Sequence, residues 1–419
     1  MDNLTHSLVA ASLGRAGLSE KVPGGTLSLV AAANLADADA VSSFWGTLYY
    51  LAYHRGTSHS IVGTLAFGTV LTAILWLVGR WRGHPASPAQ IGLAVFLAAA
   101  THPLLDLTNS YGLRPFLPFV DRWYYGDLIF IVDPYLWLVL GGAVFLTAKR
   151  GRLGKTVWAA GAILASLVLV LAAVGLGLWV PIGIWLAGVA VVLALKARRP
   201  VFPRRLAAGA LGAVVVYWGF LALMHWLTLK EVYPQLQALY PGISHEAVSA
   251  TPRPANPFEW DLFVDTPDYV AYARVSSSFS AQKVGFRRIA RNQDDPAVTA
   301  AVSTCAGTVF THFARFPVFQ VARGKDRPSV TIEDIRFTRL DRSGRFGTVT
   351  IRLDSPGEIP CPWKGSRDRG VESSHGAERA DPNGRDKPRP GPAGQAGSSS
   401  KTACACGPGA TASAAPGSS

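Results

Sequence analysis

Charge is what this sequence has least of. Charged residues make up 16% of its 419 positions while hydrophobic residues reach 49%, against roughly a quarter charged in an ordinary soluble protein. The deficit is concentrated before residue 230, where uncharged runs are long enough to cross a bilayer, and this excludes an ordinary soluble enzyme for that half. Cysteine is scarce too. The four cysteines, at 305, 361, 404 and 406, give neither a disulfide framework nor a CxxC pair for zinc. Asp2 and His6 stand where a secretory signal would carry basic residues, and no clear small-residue cleavage site follows, so no signal peptide is expected. The formal charge of +13 does not point to nucleic acid, because many of the cations sit in short clusters between apolar segments.

What is present is a series of apolar segments. Ile61–Gly79, Ile91–Leu105 and Pro134–Ala148 each approach the ~20 residues a spanning helix needs. From Thr156 to Leu195 the chain is uncharged. As one helix that stretch would run about 60 Å, twice a bilayer, so it must fold into two helices turning near Trp179-Val180-Pro181. Leu206–Leu229 completes a set of about six spanning helices. Cations at Arg80/Arg82, Lys149–Lys155 and Lys196–Arg205 fall at alternate helix ends, as one cytoplasmic side requires. The count places His54, His59, His102, Asp106 and the chain after residue 230 outside. Leu4–Leu18 and Leu27–Leu35 are too short to span independently and read as two partly inserted helices.

The expected architecture is therefore a polytopic α-helical membrane domain over 1–229, a small soluble α+β domain over 230–355, and a disordered low-complexity tail over 356–419. In the soluble part, Asp295-Pro296 opens a helix to about Phe313, and Val330–Leu340 with Phe346–Leu353 forms a hairpin around Asp341–Arg345. The Arg287–Arg291 and Arg336–Arg345 runs read as solvated faces. His312 has no acidic neighbour in the sequence, and His225 reads as a polar residue near the outer interface. The tail after Ser355 is Pro, Gly, Ser and Ala with almost no large apolar residue, too little to offset ordering entropy, unless its abrupt onset marks a frameshift.

Four polar clusters interrupt the apolar background: Asn3–His6, Asn34–Asp39, His54–His59 and His102–Asp106. Imidazole and carboxylate together suit zinc, manganese or iron. His102 and Asp106, four apart, project from one helix face. His54 and His59 are too far round a helix to share a face, and Gly56 suggests a turn that brings them together. Asp37 and Asp39 could aim at one centre from a turning backbone. Four histidines and three carboxylates exceed one tetrahedral site, so one or two divalent ions, zinc or manganese first, are expected. Each cluster alone has a bland reading as an exposed residue, a cap or a solvated loop. Ionisable residues at a membrane helix end are costly, and that favours function for His102 and Asp106.

These stretches, with Asn109-Ser110-Tyr111-Gly112 and Arg114–Pro134, resemble the membrane-bound metal-dependent hydrolase family around the YdjM-type inner-membrane proteins. The resemblance runs over roughly 1–355, and His54-Arg55-Gly56-Thr57-Ser58-His59-Ser60 is its most specific part; Ala36 stands where many members carry proline. It implies a multi-pass plasma-membrane protein, a hydrolase, and His6, Asp39, His54, His59, His102 and Asp106 as ligands, to which the residues themselves add Asp37. Arg55 is a candidate for stabilising an oxyanion. Arg114 and Arg122 are candidates for holding a phosphate or carboxylate, with Trp123, Tyr124 and Tyr125 as either pocket or aromatic belt. Thr57 and Ser58 are weaker candidates as nucleophiles than a metal-activated water. The expected partners are membrane lipids and an amphiphilic substrate, not nucleic acid; the oligomeric state is left open. The competing reading is a non-catalytic protein with a structural metal and a partner-binding soluble domain. Transport is disfavoured, since 157–195 and 206–229 carry no ionisable path apart from His225 and no internal repeat is visible.

Overall fold

The computed structural model describes residues 1–148, 152–176, 178–198, 202–277, 284–323, 328–338, 346–353 and 411–413. α1 (Asn3–Ala16) is capped by Asp2, whose carboxylate accepts the Thr5 amide at 2.9 Å. α2 (Thr26–Asn34) returns beside it, and the Asn34 amide reaches Ser7 Oγ at 3.1 Å. Together the two helices form a hairpin. Its turn carries Glu20, which pairs with Arg204, and Pro23, which lies against Gly79; both partners belong to the cationic end of the bundle.

α3 (Thr47–Tyr53) is a short helix, followed by α4 (Ile61–Trp81), α5 (Pro88–Leu107), α6 (Pro134–Thr147), α7 (Arg152–Leu176), α8 (Trp179–Arg198) and α9 (Pro203–Leu239). α4, α5, α9 and the Trp179–Lys196 stretch of α8 are long and apolar enough to cross a membrane, while α6 and Ala159–Gly175 are shorter apolar helices. The six apolar segments are thus all helical, with four of full spanning length among the described residues. α8 begins at Trp179, and Pro181 sits in its first turn, where a missing N–H breaks no helical bond. Lys196 donates to Phe145 O at 2.6 Å, fixing the ends of α6 and α8 together.

α9 corrects one expectation. It runs to Leu239 instead of stopping near Leu229, because Val232 and Leu236 bury against Trp260, Leu262 and Val264 of a sheet beyond the bundle. That sheet is the antiparallel meander β1 (Val248–Arg253), β2 (Asn256–Asp265), β3 (Tyr269–Ser276) and β4 (Arg287–Ala290). α10 (Pro296–Ser303) and α11 (Cys305–Phe313) come next, then a second meander of β5 (Pro317–Arg323), β6 (Pro328–Asp334), β7 (Thr348–Arg352) and β8 (Thr411–Ser413), with one helical turn, α12 (Ile335–Thr338), between β6 and β7.

Asp295 caps α10 as expected, yet the helix does not continue to Phe313 unbroken. Thr304 interrupts it and caps α11, its hydroxyl accepting the Gly307 amide at 3.1 Å. Cys305 is disulfide-bonded, a crosslink the cysteine spacing does not announce. β6 and β7 pair as predicted, with Val330 opposite Ile351, although the Asp341–Arg345 turn lies outside the described residues. The expected disorder of 356–419 also falls outside them, save that Thr411–Ser413 pairs with β7.

The sheet region does not stand apart from the bundle. Leu48 and Leu51 of α3 and Tyr111 from the loop after α5 share one core with Phe310, Phe313, Val330 and Ile351. Arg336 is not a solvated residue of a basic run. It is buried, chelates Asp334 through Nε (2.9 Å) and Nη2 (2.6 Å), and donates Nη1 to Ser110 O at 2.7 Å. Removing one partner of a buried pair strands the other charge and typically costs about 3–5 kcal/mol. Asp334→Ala should therefore lower the thermal midpoint of the detergent-solubilised protein sharply, whereas Glu333→Ala on the same strand should leave it nearly unchanged; equal midpoints would remove this pair from the domain contact.

Candidate metal centre

The site is assembled where α2, α4 and α5 end. Asn34 passes into a 3-10 segment, Leu35–Trp45, that carries Asp37 and Asp39. After α3 the backbone reverses through His54-Arg55-Gly56. The left-handed residue there is Arg55, at φ 56°, a strained conformation for a residue with a side chain. Gly56 is needed for close approach, since a Cβ would fall 2.7 Å from Tyr53 O and 2.9 Å from Arg114 Nη2. A 3-10 turn, Thr57–His59, follows, and Ser60 caps α4 by accepting the Gly63 amide at 3.0 Å. His59 is thereby set at the head of α4, facing His102 and Asp106 on the last turns of α5.

Asp37 and Asp39 bracket His59. Asp39 Oδ2 lies 3.1 Å from its Nδ1 and Asp37 Oδ1 3.3 Å from its Nε2. A proton on Nδ1 shared with Asp39 leaves the Nε2 lone pair facing the other side. His102 is oriented the same way, with Nδ1 2.6 Å from Ala33 O. Its Nε2 is 3.0 Å from His59 Nε2 and 3.4 Å from Asp37 Oδ1. Asp106 Oδ2 is 3.3 Å from His59 Nε2 and 3.4 Å from His102 Nε2. Zinc bound tetrahedrally at 2.0–2.1 Å has ligand–ligand edges of about 3.3–3.4 Å. These five separations, 3.0–3.4 Å, are close to that figure. Asp106 Oδ2 is buried and has no hydrogen-bond partner among the described residues, so an acceptor is aimed at the centre of this set. These four side chains could hold one divalent ion.

His54 and His6 flank the set. His54 joins Asp37 and His59, and His6 joins Asp37 and His102, each group having ligand atoms within 4.8 Å of one another. His54 Nδ1 is 2.8 Å from Asp39 Oδ1, so Asp39 orients two imidazoles at once. His6 stacks on His102 at 3.7 Å, and both of its nitrogens lack a hydrogen-bond partner among the described residues, with Asp106 Oδ1 3.5 Å from Nε2. Burial opposes ionisation of Asp37 and Asp39, but hydrogen bonds with His102 and His59 for Asp37, and with His54 and His59 for Asp39, outweigh it and hold both carboxyls below the usual range. His59 is pushed up to about 10, burial being overcome by Asp106, Asp37 and Asp39. The pocket thus attracts positive charge.

Of the three arginines, one reaches this centre. Arg55 is buried; its Nη2 lies 3.0 Å from Asp106 Oδ1, its Nη1 donates to Asn109 Oδ1 at 2.9 Å, and its guanidinium sits 4.4 Å from the Tyr111 ring centre. The Met1 amine contacts the same Asp106 oxygen. Arg114 is spent on Ala52 O at 2.7 Å and Asp121 at 3.3 Å. Arg122 is exposed and faces Glu246 at 3.7 Å. Trp123 packs over Arg114, and Tyr125 lies beneath Arg315 and Arg336, so these two rings sit at the contact with the sheet region. His312, without an acidic neighbour in sequence, is given one by folding: Asp121 at 3.3 Å. Ser58 donates to Asp39 and lies 3.0 Å from His59 Nδ1. Sequence reasoning missed Tyr50, which stacks on His54 at 4.4 Å; its place one helical turn before that histidine is the only signal for it.

Residues 1–179 match the model of the YdjM inner membrane protein family, the family that the sequence motifs resemble. The uncharacterized protein YfhP of Bacillus subtilis (strain 168) is 28% identical over 165 residues, which cover 37% of this chain and 49% of that protein; the chain spans about half the length of this curated relative. No solved structure matches.

The geometry separates holding residues from orienting ones. His59→Ala and His102→Ala should each abolish bound metal in elemental analysis of the purified protein, whereas Asp39→Asn should weaken affinity about 10–100-fold without abolishing it. Equal metal content in all three variants and wild type would dismantle the four-atom site.

Proposed function

We propose that this membrane protein is a metal-dependent hydrolase acting at the outer face of the plasma membrane on an ester, amide or phosphodiester of an amphiphilic substrate. The observation that carries the reading is the convergence of Asp37 Oδ1 and Asp106 Oδ2 on the Nε2 atoms of His59 and His102, at separations of 3.0–3.4 Å. A divalent ion there, zinc or manganese, supplies Lewis acidity and lowers the pKa of water towards neutrality. The orientation follows the cation clusters of the sequence, of which Arg80 and Arg82 close α4 at the end away from His59.

The protein's own residues divide the remaining work. Arg55 holds Asp106 and, committed to Asn109 and the Tyr111 ring, acts as a positioning residue. Asp39 and Ala33 O fix the tautomers that turn Nε2 of His59 and His102 inward. His6, with no hydrogen-bond partner among the described residues, is the group free to take a proton from the attacking water. Asp37 is the least enclosed of the four, its side chain 13% exposed and tethered to Asn3 at 2.8 Å. With a metal bound, Asp37 would be the side chain most easily turned aside to admit substrate.

One consideration favours the structural alternative: an ion held by all four side chains would have no position left open, as in structural zinc sites, whereas catalytic sites keep one open. Turnover decides between them. Across a panel of lipid and soluble esters, amides and phosphodiesters, hydrolysis should vanish on chelation and return with zinc or manganese. His6→Gln should lower kcat by about 10²–10⁴-fold with metal retained. A protein that binds metal stoichiometrically and turns over nothing on that panel leaves the structural reading standing.

A further inference from the structure

Two segments flanking the metal centre carry large apolar side chains that the described residues leave 43% exposed or more. In the 3-10 segment that bears Asp37 and Asp39, Val41, Phe44 and Trp45 point outward, Phe44 at 86% and Trp45 at 65% exposure. In the loop after Arg114, Phe116, Phe119 and Val120 do the same, Phe119 at 83%. Water would leave this much clustered aromatic surface unsatisfied, and a soluble chain seldom shows it without a partner.

The fold says what the partner is. Both segments are fastened to the head of α4: the Ile61 amide donates to Pro115 O at 2.9 Å, and the 3-10 segment packs on the same helix end. α4 is apolar over a full spanning length and barely buried by the bundle, so it faces lipid hydrocarbon along its side. Rings carried on segments joined to the head of that helix lie near the level where its apolar length ends. That is where amphipathic aromatic surface is stable in a bilayer. The sheet region, by contrast, covers α3, whose Leu48 and Leu51 are buried under it.

We propose that these six residues form a lipid-inserted rim, sunk into the leaflet on the site side of the membrane, and that its occupant is bilayer lipid. The rim shares its 3-10 segment with Asp37 and Asp39, the most accessible acids of the centre, so a lipid held there presents its polar linkage to the metal residues without leaving the membrane. Resting on the hydrolase reading, this assigns the substrate class: a membrane lipid whose bond at the headgroup–acyl boundary is cut, reached laterally from the leaflet.

The test places benzoyl-phenylalanine at Phe44, at Phe119 and, as a control, at Gln320 on the exposed side of β5, in the full chain reconstituted into phosphatidylethanolamine–phosphatidylglycerol vesicles. After irradiation, intact-mass spectrometry should find lipid adducts at 44 and 119 several-fold more often than at 320. Adducts no more frequent than at 320 would overturn the rim, and so would crosslinks to a second copy of the chain in place of lipid. The readout needs neither metal nor turnover. Lipid adducts in a protein that hydrolyses nothing would refute the hydrolase reading while leaving the rim intact.

Discussion

The structure is organised around one electrostatic demand, the buried carboxylate of Asp106 at the end of an apolar helix. Its side chain is 1% exposed, and an isolated ionised acid there would be prohibitively expensive. The chain meets the demand with groups drawn from widely separated positions. Arg55 and the Met1 amine take one oxygen; His59 and His102 face the other. Arg55 can reach only because the turn after α3 accepts a left-handed residue, and that turn exists only because Gly56 lets Arg114 and Tyr53 close in. Asn109 and Tyr111, just past Asp106, then hold the guanidinium in place. Local strain, the loop after α5 and the N-terminal hairpin all serve the neutralisation of a single acid.

The same demand explains which parts of this arrangement were legible in sequence. Apolar runs declare helices because burial in lipid needs continuous hydrocarbon, so all six segments and the turn at Trp179 could be read directly. The clustered acids and histidines were legible for the converse reason, that several ionisable groups in such a background are costly unless they serve one another. What could not be read was the division of labour among them. Asp37 and Asp39 look equivalent two residues apart, yet one faces Nε2 and the other Nδ1 of the same imidazole, a distinction set by how the 3-10 segment lies against His59. Arg114 and Arg122 resembled a phosphate clamp because sequence shows charge and not what the charge is spent on. Arg336 looked solvated because sequence does not show that it and Asp334, two residues before it, are buried together, and His312 looked isolated because Asp121 comes from the distant loop after α5.

That loop is also why the sheet region is better understood as part of the centre's frame than as an appendage. Tyr111 contacts Arg55 on one side and Phe313, Phe337 and Phe346 on the other. The ring is fully enclosed, so any displacement of the second sheet must move it or open a void, and close-packed interiors resist both. Arg55 would follow Tyr111, and Asp106 would then lose a counter-charge. The sheets can be rigid yet still matter to the metal residues: their packing fixes where a guanidinium lies, and through it how much positive charge the acids still require. A partner that bound the sheets would act on the centre through this aromatic stack, by way of Arg55 and Asp106. Asp37 and Asp39, the more exposed acids, stand outside that relay, on a segment tied to the centre by His54 and His59.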